Sequence, residues 1–260
     1  MPDLQQSHDD RKIAIDKVGV KDIRYPIVVQ DKYREFQYTV ARVNMYVDLP
    51  EHFKGTHMSR FIEVLNLYHG QISTENIETI LLEMKERLGA DRAHLELDFP
   101  YFIEKRAPVS GARGLLEYQC RMIGSLAESF DFMLEARVPV TSLCPCSKEI
   151  SDRGAHNQRS IVTVQVRYTD HIWLEDLIEW VELCASCPVY ALLKREDEKA
   201  VTERAYDNPM FVEDMVRAIT EKLSAVEQIR WFSVQCENFE SIHNHSAYAM
   251  IEKGNPHSCG

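Results

Sequence analysis

The sequence has no apolar run approaching the roughly 20 residues that span a bilayer, so it predicts no membrane-crossing helix. Its opening stretch, Met1-Pro2-Asp3-Leu4-Gln5-Gln6-Ser7, lacks the basic and apolar blocks of a secretory signal. The expectation is a cytoplasmic protein with no membrane partner. Positive charge is scarce too: 30 Lys and Arg stand against 41 Asp and Glu, a net charge of −11. That balance excludes a global basic footprint for nucleic acid, and attraction to anionic lipid by overall charge. An anionic substrate would have to be met by cations gathered locally against the chain's own field. An even cysteine set is also missing, since the seven cysteines lie at 120, 144, 146, 184, 187, 236 and 259. Without a secretory signal, an odd count predicts thiols, and a close pair points to metal binding or catalysis before a disulfide framework.

What is present is enough apolar material for a sizeable core, 45% of 260 residues. At roughly 100–200 residues per domain, the length gives one large domain or two small ones. Residues 1–31 are polar and mixed in charge and read as an N-terminal arm. A pattern then occurs twice. In the first round Phe36, Tyr38 and Val40 alternate, then Val43, Met45, Val47 and Leu49, with a phase slip near Ala41 that predicts a bulge. Helical spacing follows in Phe61, Val64, Leu65 and Tyr68, stopped by Gly70. It recurs in Ile77, Ile80, Leu81, Met84 and Leu88, stopped by Gly89. Two further alternating stretches, 93–99 and 116–122, flank a turn-rich basic loop over 105–114.

In the second round Phe132, Leu134, Ala136, Val138 and Val140 alternate, as do Val162, Val164, Val166 and Tyr168. Leu174, Leu177, Ile178 and Val181 are helical and end by Pro188; Asn208-Pro209 reads as a cap and first helical residue. Strands follow near 232–236 and 247–251. The chain thus predicts α+β architecture, with ββααββ used twice and a seam near residue 128. Helices cover one face of each antiparallel sheet; the other face needs a partner, which predicts an oligomer.

Chemistry concentrates in the second round. Cys144-Pro145-Cys146 ends an alternating strand, and one thiolate could be a metal ligand or nucleophile, or both cysteines could simply occupy a turn. Lys148 and Arg153 would favour a thiolate if close. His156 lies twelve residues after Cys144, across what reads as one hairpin. His243 and His245 alternate and, with Glu240, form an acid/base cluster or a polar hairpin loop. Glu196-Asp197-Glu198 reads as a solvated face, and Glu213 as a surface helix residue. Cys144, Cys146, Cys184 and Cys187 compete as a four-cysteine zinc site, although only one pair has knuckle spacing.

Five segments together resemble the GTP cyclohydrolase I family, type IB. They are Gly55-Thr56-His57-Met58-Ser59-Arg60-Phe61, Lys105-Arg106-Ala107-Pro108-Val109-Ser110-Gly111, Cys144-Pro145-Cys146-Ser147-Lys148-Glu149-Ile150-Ser151, Gly154-Ala155-His156-Asn157-Gln158-Arg159 and Glu240-Ser241-Ile242-His243-Asn244-His245. The resemblance implies two tandem tunnelling-fold modules, over 32–127 and 128–260, each an antiparallel sheet with paired helices on one face. It implies a homotetramer with active sites between subunits, the second module carrying most of each site. It also implies the reaction: GTP and water give formate and 7,8-dihydroneopterin 3'-triphosphate, the first step towards tetrahydrofolate.

Position by position, the resemblance makes Cys144, His156 and Glu198 the ligands of one divalent metal, zinc, manganese or iron. The metal activates the water that attacks C8 of guanine. Glu240, His243 and His245 become the proton-transfer cluster, with Cys144 counted among the catalytic residues. Glu213 becomes the carboxylate that accepts from guanine N1–H and the 2-amino group, which reverses its reading as a surface residue. By charge and position, Lys148, Arg153, Arg159, Lys105, Arg106, Ser110 and Arg113 are the candidates for holding the triphosphate. Two other functions stay in play: a tunnelling-fold nitrile reductase using a cysteine nucleophile and NADPH, and a zinc-stabilised binding module without catalysis.

Overall fold

The computed structural model of the chain describes residue 5 and residues 7–255. Contacts divide it into two compact units. The first comprises residues up to Pro100 with Arg121–Leu134; the second comprises Tyr101–Cys120 with the chain from Glu135. Three long strands, β3 (Ala93–Arg106), β4 (Arg113–Leu126) and β5 (Phe130–Leu143), contribute to both units.

In the first unit, β1 (Ile15–Asp31) pairs antiparallel with β2 (Glu35–Leu49), and β2 with β3. Helices α1 (Met58–Leu67) and α2 (Ile77–Leu88) form where the i, i+3, i+4 spacing places them. Phe61, Val64 and Leu65 of α1 and Ile77, Ile80, Leu81 and Met84 of α2 are buried, as are Val43, Met45, Leu95 and Leu97 of the sheet. Gly89 caps α2 in the left-handed region at φ 61°, a conformation that costs glycine little.

Two expectations fail here for identifiable reasons. Residues 15–31 are strand rather than arm; Ile27, Val29 and Asp31 alternate inward, but interleaved charges mask the period. Residues 1–4 and 6 of that expected arm lie outside the described residues. The bulge also sits elsewhere. β2 holds one register throughout, while the register shifts fall in β1, between Ile15 and Val18 and between Val20 and Ile23. The inward face of β2 is Ala41, Val43, Met45 and Val47, and Phe36, Tyr38 and Val40 lie on the exposed face. The apparent phase slip is the change from the apolar outward residues of β2 to its inward ones.

Gly124 of β4 marks a close approach of sheet and helix. A Cβ there would stand 2.5 Å from Ile77 Cγ2 and 3.1 Å from Leu81 Cδ1. Gly124→Val is therefore expected to lower stability by about 1–3 kcal/mol through overpacking, read from urea denaturation of the full chain. An unchanged midpoint would show that α2 can shift at no cost.

In the second unit the strand order runs β3-β4-β5-β6-β8-β9, with β7 (Cys187–Pro188) paired to β5. Here β6 is Asn157–Tyr168, β8 Ile229–Asn238 and β9 Ala247–Gly254. Helix α3 (Pro145–Ile150) follows β5, α4 is Leu174–Leu183, α5 is Arg195–Asp207 and α6 is Val212–Ser224. Helix α6 lies against β8 and β9 through Val212, Met215, Val216, Ile219 and Leu223, the stripe expected from the sequence.

The second unit has more helices than a doubled ββααββ pattern contains. Helix α5 leaves no hydrophobic period in the sequence because Arg195-Glu196-Asp197-Glu198-Lys199-Ala200-Val201 carries almost no apolar stripe. Asn208 ends α5 rather than starting α6, and its Nδ2 donates to Ala185 O at 2.9 Å. The acidic trio is not wholly a solvated face either, since Asp197 is fully buried.

Candidate functional site

The site grows from the end of β5. Its inward alternation runs through Val138, Val140 and Ser142, then meets Cys144, which caps α3. Pro145 occupies the first helical position, where its missing N–H costs nothing. Cys144 Sγ accepts from Ser147 N at 3.4 Å, and Ser147 Oγ accepts from His156 N at 3.1 Å. Cys144 N donates to His156 O at 3.1 Å. These bonds tie the thiol and the imidazole to one end of the β5–β6 hairpin, as the twelve-residue spacing anticipated.

His156 is largely enclosed. Its Nδ1 lies 2.9 Å from Gln158 Oε1 and 3.8 Å from Glu240 Oε2. Glu240 is delivered by the segment after β8, where Phe239 N donates to Arg159 O at 3.1 Å. From the same loop His243 and His245 stack, ring centroids 4.9 Å apart and 13° from parallel. They stand in a turn rather than a strand, and both are exposed, so the pair faces outward beside Glu240. Cys146 is exposed as well.

The α5–α6 connection docks on the same corner. Met210 N donates to Leu143 O at 3.0 Å, and Lys148 Nζ donates to Tyr206 O while sitting 4.3 Å from the Tyr206 ring. This brings the start of α6, with Glu213 exposed in its first turn, next to the strand that carries Cys144. A cleft of about 250 Å³ opens alongside, walled by Thr141, Asn157, Tyr190 and Thr202 among others, one residue from His156.

Other expected residues take different places. Glu198 is exposed on α5, and no group of three His, Cys, Asp or Glu side chains suited to a metal forms among the described residues. Cys144 and His156, tied backbone to backbone, offer a sulfur and a nitrogen of the kinds that suit a divalent transition metal, without an assembled third ligand. Arg153, Arg159 and Arg106 are exposed, and Arg113 lies 3.5 Å from Glu104. Cys187 packs as a small hydrophobe with Leu143 and Ala205. Burial raises the Cys184 and Cys187 thiols and pushes Cys236 up to about 12. Cys259 lies outside the described residues.

Two of the proposed phosphate contacts are held inside the fold. Lys105 Nζ donates to Glu182 Oε1 at 2.7 Å and Val189 O at 2.8 Å, and burial lowers its pKa against the pull of Glu182. Tyr118 donates to the same carboxylate oxygen at 2.7 Å. Ser110 Oγ donates to Asp197 Oδ2 at 2.6 Å, while the amides of Val109 and Ser110 donate to Oδ1 at 2.9 Å. Asp197 thus latches the basic loop to the start of α5. Burial opposes ionisation of Asp197, but the Ser110 hydroxyl and the surrounding amides outweigh it and hold the carboxyl well below its ordinary range.

A depressed folded pKa gives stability that is present above the ordinary carboxylate value of about 4 and is lost as pH falls below it. Asp197→Asn is accordingly expected to weaken the fold at neutral pH and to flatten its acid limb, read from unfolding midpoints between pH 7 and 3. A variant whose midpoints ran parallel to the parent's would remove Asp197 from the acid response.

A protein-family model described as type I GTP cyclohydrolase FolE2 matches residues 1–249. The chain belongs to that family. It is 68% identical over 252 residues to GTP cyclohydrolase FolE2 of Syntrophotalea carbinolica, covering 97% of this chain and 95% of that one. It is 67% identical over 253 residues to GTP cyclohydrolase FolE2 of Geobacter metallireducens, covering 97% of each. Among solved structures it resembles urate oxidase from Bacillus subtilis 168, with TM-score 0.54 and 8% identity over 92% of this chain and 98% of that one. Uricase from Arthrobacter globiformis aligns with TM-score 0.52 and 10% identity over 92% of each chain. At such identities the likeness concerns the fold alone: α+β, with antiparallel pairing and uricase-like tunnelling-fold neighbours.

Sequence reasoning passed over Gln158, Ser142, Ser160 and Asn238, polar residues buried beside the FolE2 candidate site. A signal was available: Gln158 and Ser160 share the alternation phase of Val162, Val164 and Val166, so polar side chains point into an apolar face.

Proposed function

We propose that this chain, as a FolE2-family cyclohydrolase of type IB, converts GTP and water to formate and 7,8-dihydroneopterin 3'-triphosphate. The observation that carries the reading is the joining of Cys144, His156 and Glu240 at one end of the β5–β6 hairpin. Cys144 and His156 would hold a divalent cation, with Glu198 as third ligand. When bound, that cation supplies Lewis acidity and a nucleophile at neutral pH. Glu213 would accept two hydrogen bonds from guanine, from N1–H and the 2-amino group; adenine offers no such donor pair. His243 would deliver a proton to the imidazole nitrogen as the ring opens, with His245 as a second shuttle and Glu240 as their acid/base partner.

Lys148, Arg153, Arg159, Arg106 and Arg113 would gather the triphosphate. In a chain of net charge −11 those cations are best pooled at a subunit interface, which favours a homotetramer of tandem tunnelling-fold modules. The exposure of Glu213, His243 and His245 in the single chain agrees with a site completed by a neighbour. The deciding experiment measures formate release from GTP by protein loaded in turn with zinc, manganese and iron, with metal content determined on each sample. Formate released in proportion to bound metal is expected. Equal release from metal-free protein would sink the metal assignment, and no release from any sample would sink the reaction.

A further inference from the structure

Behind His156 lies a chain of four buried polar side chains. Gln158 Nε2 donates to Ser142 Oγ at 2.8 Å; Ser142 Oγ and Ser160 Oγ are 2.9 Å apart; Ser160 Oγ donates to Asn238 Oδ1 at 2.7 Å. All four residues are at most 7% exposed, and Ser142 and Ser160 are fully buried. They come from three neighbouring strands, β5, β6 and β8, and Ser160 stands directly across from Asn238.

Such a row costs stability unless every member is satisfied. Satisfying it fixes its direction. A carbonyl oxygen only accepts, so Ser160 must give its single proton to Asn238 Oδ1. Ser160 Oγ is then left to accept from Ser142, and Ser142 Oγ to accept from the Gln158 amide. The Gln158 amide nitrogen is thereby turned inward and its oxygen outward, 2.9 Å from His156 Nδ1. An oxygen there requires a proton on Nδ1. Glu240 Oε2, 3.8 Å from the same nitrogen, is a second acceptor on that side of the ring.

We propose that Asn238, Ser160, Ser142 and Gln158 form a positioning relay that holds neutral His156 as its Nδ1–H tautomer. The Nε2 lone pair is thereby left free to bind an electrophile. Gln158 is the positioning residue in contact with the imidazole; the other three act through it. As far as that electrophile is a divalent cation, the inference rests on the function proposed above. The assignment of the tautomer does not.

The test uses the full-length chain with 15N-labelled histidine, reading ring-nitrogen shifts by solid-state NMR, and titrates the same metal-stripped proteins with Zn2+ against a chromophoric chelator. In the parent, His156 is expected to show a protonated Nδ1 and a bare Nε2. Gln158→Leu is expected to mix the tautomers and to weaken Zn2+ binding by about 10–100-fold, the usual effect of removing the partner behind a ligating histidine. Ser142→Ala, which leaves the Gln158–imidazole contact in place, is expected to move both readouts the same way by a smaller factor. It also serves in place of Gln158→Leu should that variant fail to fold. A parent His156 protonated on Nε2 would overturn the relay, as would folded variants with unchanged tautomer and affinity. A parent that shows the Nδ1–H form yet binds no Zn2+ would uphold the relay and fail the metal reading instead.

Discussion

Cys144→Ala is expected to reduce formate release from GTP by roughly 10^3-fold or more, with the bound metal lost in parallel. The Cys144 side chain contributes little to the fold. It is only half-buried, and its Sγ accepts a long bond from Ser147 N at 3.4 Å. Losing that cap should cost about 1 kcal/mol or less. Cys144→Ser restores an oxygen cap while removing the sulfur, so it should regain the stability and remain as inactive as the alanine variant. Activity and metal content measured on both, beside a thermal melt, separate the two roles. Parent-like turnover in the alanine variant would remove Cys144 from the reaction.

Glu213→Gln should lower kcat/KM for GTP by about 10^2–10^4-fold while leaving the fold intact. The glutamine amide replaces one of two acceptor oxygens with a donor that faces the guanine donors, leaving buried groups of the bound complex unpaired. The free protein should tolerate the change, because Glu213 is exposed at the start of α6. Its interaction with the helix dipole is worth only about 0.3–1 kcal/mol. The informative comparison is GTP against inosine triphosphate, which lacks the 2-amino group. The parent should discriminate between them and the variant should do so far less. Equal discrimination by both would place guanine recognition elsewhere.

How much of this was legible in the sequence varied with the kind of signal. Periodicity located α1, α2, α4 and α6 and the inward faces of β5, β6 and β8, because burial of one face forces period 3.6 or 2 on the residues that line it. It failed where a segment breaks that link. Helix α5 has a polar sequence and is held by its Asp197 latch more than by an apolar stripe. Strand β1 hides its inward residues among charges, and β2 carries apolar residues on its outward side. In each case the hydrophobic pattern and the buried face differ, so no reading of hydrophobicity alone could recover them.

The candidate site divides along the same line. Cys144 and His156 were paired from their spacing, since a hairpin returns both to one end of the sheet. Spacing alone leaves Glu240 apart from them, with 83 residues between it and His156; the two meet because β8 lies beside β6. Lys105 and Ser110 looked like anion ligands by residue type, but folding placed Glu182 and Asp197 against them, and a paired charge inside the protein has little left for a substrate.

The net charge of −11, the odd cysteine count and the absence of a long apolar run were set by composition, and no fold could alter them. They excluded a global basic footprint and pointed to thiols before a disulfide framework. Which polar residues meet was decided by register alone. Alternation tells that Ser160 and Asn238 point inward, but only strand pairing sets them opposite each other, because the period of two fixes a face and leaves the partner open.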